Sequence, residues 1–260
     1  MNYETLVFTK KDDIATVTLN RPDVHNAMND RLMKELTDCF QRLSDNTFVS
    51  TVIITGNGKS FCAGADLTWM KEMVNYSQGE NQKDSRLLLD MYETIHTCPK
   101  PVIGRINGHA FGGGIGLLAV CDITITVPET RFAFSEVKLG IIPAVISAFV
   151  ALRMTPAAMR RLFITGERFD AQHAKEIGLI DLVVPSEKLD ETVQTSIEQI
   201  RSSGPQAIKE IKHLIDSLKK MDTKTYKEFT VEKISELRVS QEGQEGIKGF
   251  LEKRKPNWKR

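Results

Sequence analysis

The stretch Gly108-His109-Ala110-Phe111-Gly112-Gly113-Gly114-Ile115-Gly116-Leu117 sets three consecutive glycines directly before an apolar run. Glycines at the start of a helix expose backbone N–H groups with no intrahelical partner, and such donors favour negative charge, whether a phosphate or an oxyanion. Close helix packing is the alternative use of the same glycines. A phosphate loop is excluded, because Ile53 stands where a glycine must precede Gly58-Lys59-Ser60. A dinucleotide fingerprint is only weakly matched, since Leu117 replaces its third glycine. A second loop, Ser60-Phe61-Cys62-Ala63-Gly64-Ala65-Asp66-Leu67, follows an apolar strand over Thr51–Thr55. Two strand-end loops of one parallel sheet can face a single crevice.

The positioning elements alternate. Leu6-Val7-Phe8, Ile14–Leu19, Thr51–Thr55, Val102–Ile106 and Ile123–Val127 have the pattern of strands; Asp30–Leu43 and Leu87–His96 have helical spacing. This βα repetition predicts a parallel sheet covered by helices. From about Pro156 strands nearly vanish, and helices are expected over 156–163, 171–177, 186–201, 205–218, 223–238 and 241–253. With 260 residues, 41% of them hydrophobic, the chain can bury a full core. Its 35 basic and 34 acidic side chains nearly cancel, which leaves no general attraction for nucleic acid or anionic lipid. Four cysteines, with no CxxC pair, suit a reducing compartment, and no metal spacing links them to the histidines. No membrane span or leader is evident, so a cytoplasmic protein is expected, or an organellar one whose targeting peptide is absent from this sequence.

The two glycine loops occur in order with Asn20-Arg21-Pro22-x-x-x-Asn26-Ala27-Met28 and Phe134-Ser135-Glu136-x-x-x-Gly140-Ile141-Ile142-Pro143. Together they resemble the crotonase (enoyl-CoA hydratase/isomerase) superfamily across nearly the whole chain. Within it, Cys62–Met70 and Ser135–Ser147 look closest to bacterial methylglutaconyl-CoA hydratases of leucine breakdown. The resemblance implies an α/β fold, a crotonase-type ββα spiral core over 1–200, with a helical C-terminal trimerisation region over 201–260. It implies acyl-CoA thioester substrates, trimers or dimers of trimers, and no cofactor beyond the coenzyme A of the substrate. By position, the N–H groups of Ala65 and Gly113 would form an oxyanion hole. Arg21, Val24, Lys59, Phe61, Ala63, Asp66, Leu67 and Gly116 would line the CoA and acyl sites, and Phe250 and Lys253 would reach a neighbour's CoA.

Two-acid hydratases of the family carry a glutamate at the position of Gly116 and another at Glu136. Here only Glu136 remains, among apolar Phe132, Phe134 and Val137, surroundings that favour proton transfer. The expected reaction is hydration of 3-methylglutaconyl-CoA to 3-hydroxy-3-methylglutaryl-CoA, with the substrate's own carboxylate lodged in the room left by Gly116. Lys71, Lys138 and Arg153 are candidate partners for that carboxylate. A Δ3,Δ2-enoyl-CoA isomerase using Glu136 alone and a glutaconyl-CoA decarboxylase are the enzymatic alternatives. RNA binding through Lys209, Lys212, Lys219, Lys220, Lys224 and Lys227 is the alternative of another class. Acidic residues interleaved at helical spacing favour an ordinary solvated face instead. His109 could touch substrate but is expected to be packed, and Trp69 is open to two uses, a pocket wall or a loop anchor.

Overall fold

Three times along the chain a long apolar strand is followed by a short partner strand and then a helix. The computed structural model describes residues 1–258. An antiparallel hairpin, β1 (Leu6–Lys11) and β2 (Ile14–Leu19), leads through a 3-10 turn at Pro22–Val24 into α1 (Asp30–Asp45). The first repeat is β3 (Thr51–Gly56), β4 (Ser60–Cys62), α2 (Leu67–Met73) and α3 (Gln78–His96). The second is β5 (Val102–Ile106), β6 (His109–Phe111) and α4 (Gly113–Ala119). The third is β7 (Ile123–Thr126), β8 (Arg131–Ala133), a 3-10 turn at Ser135–Leu139, α5 (Ala144–Val150) and α6 (Pro156–Thr165). Then come β9 (Phe169–Asp170), α7 (Ala171–Glu176), β10 (Leu182–Val183), α8 (Leu189–Arg201), α9 (Pro205–Lys220), α10 (Thr223–Val239) and α11 (Gln241–Leu251).

The first strands of the repeats build one sheet, ordered β1-β2-β3-β5-β7-β10 and parallel from β2 onward; the second strands build another, β4-β6-β8-β9. This double layering is the ββα spiral. Alternation along β3 explains how one sheet serves two cores. Val52 and Ile54 face the main core with α1 and α3, while Ile53 faces a smaller cluster closed by Leu189, Val193 and Ile197 of α8.

Three expectations change. The loop at 63–66 and the turn at Gly112 follow β4 and β6, parallel neighbours of the small sheet, and not the large-sheet strand that precedes Ser60. β4, β6 and β8 are too short to show an alternating pattern. α3 begins at Gln78, well before Leu87, because Ser77 and Glu80 form a reciprocal capping box there. Past Pro156, β9 and β10 still add one strand to each sheet.

Candidate active site

Asn26 ties down the first loop. Wholly buried, it accepts from the Arg21 N–H (2.9 Å) and donates to the carbonyls of Asn57 (2.9 Å) and Ser60 (2.8 Å), which holds the segment before α1 against the β3–β4 turn. Such a network is stable only because each polar atom of the buried amide is used. Met28 then forms an isolated parallel bridge with Ala65: its N–H donates to the Gly64 carbonyl (2.7 Å), and its carbonyl accepts from the Asp66 N–H (2.8 Å). In that arrangement Met28 makes both bonds, so the Ala65 N–H faces the other way. Among the described residues it donates to no protein acceptor.

Gly64 turns this loop toward the glycine turn. Its φ is +92°, and a methyl group there would stand 2.9 Å from the Phe111 carbonyl oxygen and 3.8 Å from the Gly113 nitrogen. Only glycine fits both the conformation and the approach. Gly112 (φ +47°) donates to the Ala133 carbonyl at 3.0 Å, and Gly114 lies flat on the Cys62 carbonyl, where a methyl group would come within 2.2 Å. The Gly113 N–H opens α4 and likewise has no protein acceptor among the described residues. α4 has seven residues, fewer than two full turns, so the site rests on these individual donors more than on a macrodipole.

Glu136 lies across the same turn. A methyl group on Gly112 would stand 3.0 Å from Glu136 Oε1, while Oε2 is buried without a hydrogen-bond partner. Burial pushes its carboxyl above the ordinary glutamate range. A buried carboxylate oxygen with no donor costs stability and is kept where chemistry needs it.

The space over Gly116 is occupied. A methyl group there would stand 2.6 Å from Ile146 Cγ2, 2.6 Å from Tyr92 Cζ and 2.7 Å from the Tyr92 hydroxyl. The expected room for a substrate carboxylate is therefore absent: α3 and α5 fill it from either side. Tyr92 is fully buried, and its hydroxyl donates to the Gly113 carbonyl at 2.7 Å. Burial first, then the nearby Cys62 and Glu136, push the Tyr92 phenol far up, so it stays a donor.

Other expected ligand residues divide. Val24, Lys59 and Leu67 are exposed, and Ala63 is half-buried with its N–H held by the His25 carbonyl at 3.0 Å. Phe61 is a correction: its ring is 0% exposed inside the main core, so only its backbone belongs to the loop. Arg21 and Asp66 pair with each other. Their ion pair (2.7 Å) and the bond from Arg21 to the Ala27 carbonyl commit the guanidinium to the loop itself. Burial pulls the Asp66 carboxyl up, but Arg21 and the N–H groups of Thr68 and Trp69 outweigh it and hold it below the usual range. Asp66 thereby N-caps α2.

Arg153 is engaged with Asp181 (2.6 Å) and the Cys121 carbonyl, which leaves Lys71 and Lys138 exposed. His109 sits at the start of β6, accepts the Arg131 N–H at 3.1 Å, and is shifted down by burial and then by Arg131, Arg168 and His25. Trp69 is buried. Phe250 and Lys253 lie exposed at the end of α11. Lys212 pairs with Asp122 (2.7 Å) and Lys219 donates to the Ala151 carbonyl (3.0 Å), so two lysines of the C-terminal run turn toward the core. Among the described residues no three His, Cys, Asp or Glu side chains converge as metal ligands, and no helix is long and apolar enough to cross a membrane. Tyr92 and Ile146 are the site residues the sequence reading missed. Tyr92 lies in an apolar stripe with Met91 and Ile95 that signals a core position and nothing more.

The pattern that defines the enoyl-CoA hydratase/isomerase family matches residues 9–260. A short-chain-enoyl-CoA hydratase of Clostridium acetobutylicum is 33% identical over 257 residues, covering 98% of this chain and 97% of the relative. A crotonyl-CoA hydratase of Syntrophomonas wolfei is 32% identical over 260 residues, 99% of each chain. An enoyl-CoA hydratase of Shewanella pealeana superposes with a TM-score of 0.94 at 37% identity, covering 98% of this chain and 96% of that one. An enoyl-CoA hydratase/isomerase of Marinobacter aquaeolei gives 0.91 at 32% identity and 98% of each. With the spiral fold, the paired glycine loops and Glu136 in place, the chain belongs to the enoyl-CoA hydratase/isomerase (crotonase) family and is an enzyme of the hydratase type.

Proposed function

We propose that the chain hydrates an enoyl-CoA thioester with Glu136 as its single proton carrier. The observation that carries this is the partly buried Glu136 carboxylate, its Oε2 without a donor, lying across the turn that presents the Gly113 N–H. The thioester carbonyl sits between the N–H groups of Ala65 and Gly113, which stabilise the negative charge that develops as oxygen adds at C3. Glu136 takes one proton from water as the C3–O bond forms, then gives that proton to C2. Water's oxygen ends on C3 and its protons on that oxygen and on C2, so the balance closes without another cofactor.

The substrate we favour is 3-methylglutaconyl-CoA, on the strength of the Cys62–Met70 and Ser135–Ser147 stretches. Its distal carboxylate pairs with Lys71 or Lys138 at the mouth, since the volume over Gly116 is filled. Val24, Lys59, Ala63 and Leu67 edge the CoA adenine, joined by Phe250 and Lys253 from a second copy in a trimer. A Δ3,Δ2-isomerase is the second reading, favoured by the same single acid, which would remove a proton from C2 and return it at C4. Incubation with 3-methylglutaconyl-CoA, crotonyl-CoA and a 3-enoyl-CoA, with products resolved by mass and chromatography, separates the two. A gain of one water on the glutaconyl thioester is expected; a shifted double bond with no added water overturns hydration.

A further inference from the structure

Tyr92 stands at a junction that no sequence motif marks. Its ring comes from the C-terminal half of α3, far in sequence from both glycine loops, and its hydroxyl is buried among apolar groups. A buried hydroxyl costs stability unless it is bonded. Its bond is to the Gly113 carbonyl (2.7 Å), and its next polar neighbour is Met28 Sδ at 3.9 Å. Met28 in turn touches both loops. Its backbone holds Gly64 and Asp66 on either side of Ala65, and its Cε would lie 2.6 Å from a methyl group on Gly113. One chain of contacts thus runs from the Ala65 peptide through Met28 and Tyr92 to Gly113.

We propose that Tyr92, acting with Met28, is a positioning residue that sets the relative placement of the Ala65 and Gly113 N–H groups. This rests on the oxyanion-hole reading above. Tyr92 touches no reacting atom; it holds Gly113 from the core side while Met28 holds Ala65. The main-chain turn at Gly112–Gly114 has no side chains of its own to fix it, so an outside brace is what limits its freedom.

The test uses Tyr92→Phe, which keeps the ring and removes only the hydroxyl. A conjugated dienoyl-CoA serves as probe, because polarising its thioester carbonyl shifts its absorption to longer wavelength. The wild type is expected to bind it with a red shift. Tyr92→Phe is expected to bind within about threefold of the wild type with a clearly smaller shift. Its kcat, normalised to probe-binding sites, should fall about tenfold with KM within threefold, short of the ~100-fold or greater loss of removing a donor outright. The limb of the pH profile belonging to Glu136 should not move. Met28→Leu should show the same partial loss, and the double variant should be little worse than either, as for residues in one contact chain.

A full red shift and wild-type kcat in Tyr92→Phe refute the brace. So does a displaced pH limb, which would place the effect on Glu136, and so do losses that multiply independently in the double variant. A wild type that binds the probe without any shift refutes the oxyanion hole itself, and the brace with it.

Discussion

Glu136 bears a carboxylate oxygen that is buried and has no donor, a costly arrangement that follows from packing the acid against the bare α-carbon of Gly112. Glu136→Gln tests both sides of that arrangement. Losing the only proton carrier should lower turnover by ~100-fold or more on every substrate that needs a proton at C2. The same change should stabilise the fold at neutral pH. Burial raises the Glu136 pKa, so the protonated form fits the native state better, and that stability is lost as pH rises through the folded-state value. The variant should therefore melt about 2–4 °C higher at pH 7, the effect of ~1 kcal/mol in a chain of this size, and the gain should vanish below the ordinary glutamate pKa of ~4.3. Calorimetry at the two pH values checks it; a lower melting point at pH 7 would contradict the orphaned carboxylate.

At the scale of elements, the glycines of α4 are there because other elements lean on them. Replacing a helical glycine by alanine ordinarily stabilises by roughly 0.5–1 kcal/mol. Gly79, in the first turn of α3, has nothing within 4 Å of an added methyl group and should follow that rule. At Gly116 the methyl group meets Ile146 and Tyr92 at 2.6 Å, so overpacking should reverse the sign and cost about 1–3 kcal/mol. Urea unfolding of the two alanine variants is expected to show shifts in opposite directions; a Gly116→Ala protein as stable as Gly79→Ala would mean that α3 and α5 yield readily. The same crowding argues against grafting a second acid at Gly116 while Tyr92 and Ile146 remain.

At the scale of the molecule, the C-terminal helices leave apolar surface uncovered. Ile215 of α9, Val231 and Val239 of α10, and Phe250 and Leu251 of α11 are more than half exposed, and α10 has no buried residue in the isolated chain. So many exposed apolar side chains on these helices call for a partner. We expect light scattering at micromolar concentration to give three or six times the chain mass of 29.2 kDa. Removal of the chain from Phe250 onward should weaken CoA-thioester binding by tenfold or more while the spiral core still melts cooperatively. Retained affinity in the truncated protein would remove Phe250 and Lys253 from the CoA site.

The sequence by itself determined those features that depend on residues close along the chain. The glycine turn, the βα repetition and the lone acid at Glu136 all follow from local backbone sterics and from alternation over a few residues. The two glycine loops, with the Asn20–Met28 and Phe134–Pro143 motifs, carried the family in the same way. What only the tertiary structure decided is what fills the space beside those motifs. Gly116 in sequence is a missing side chain and therefore a vacancy; in the fold it is a contact point, because Tyr92 from α3 and Ile146 from α5 converge on it. Arg21 looks like a free cation, yet the curl of its loop places it on Asp66, across the bridge from Met28 to Ala65. Phe61 lies in a ligand loop by motif but in the core by the pleat of a three-residue strand. An apolar stripe says that a residue is buried, whereas its partner is chosen by long-range packing of elements tens of residues apart.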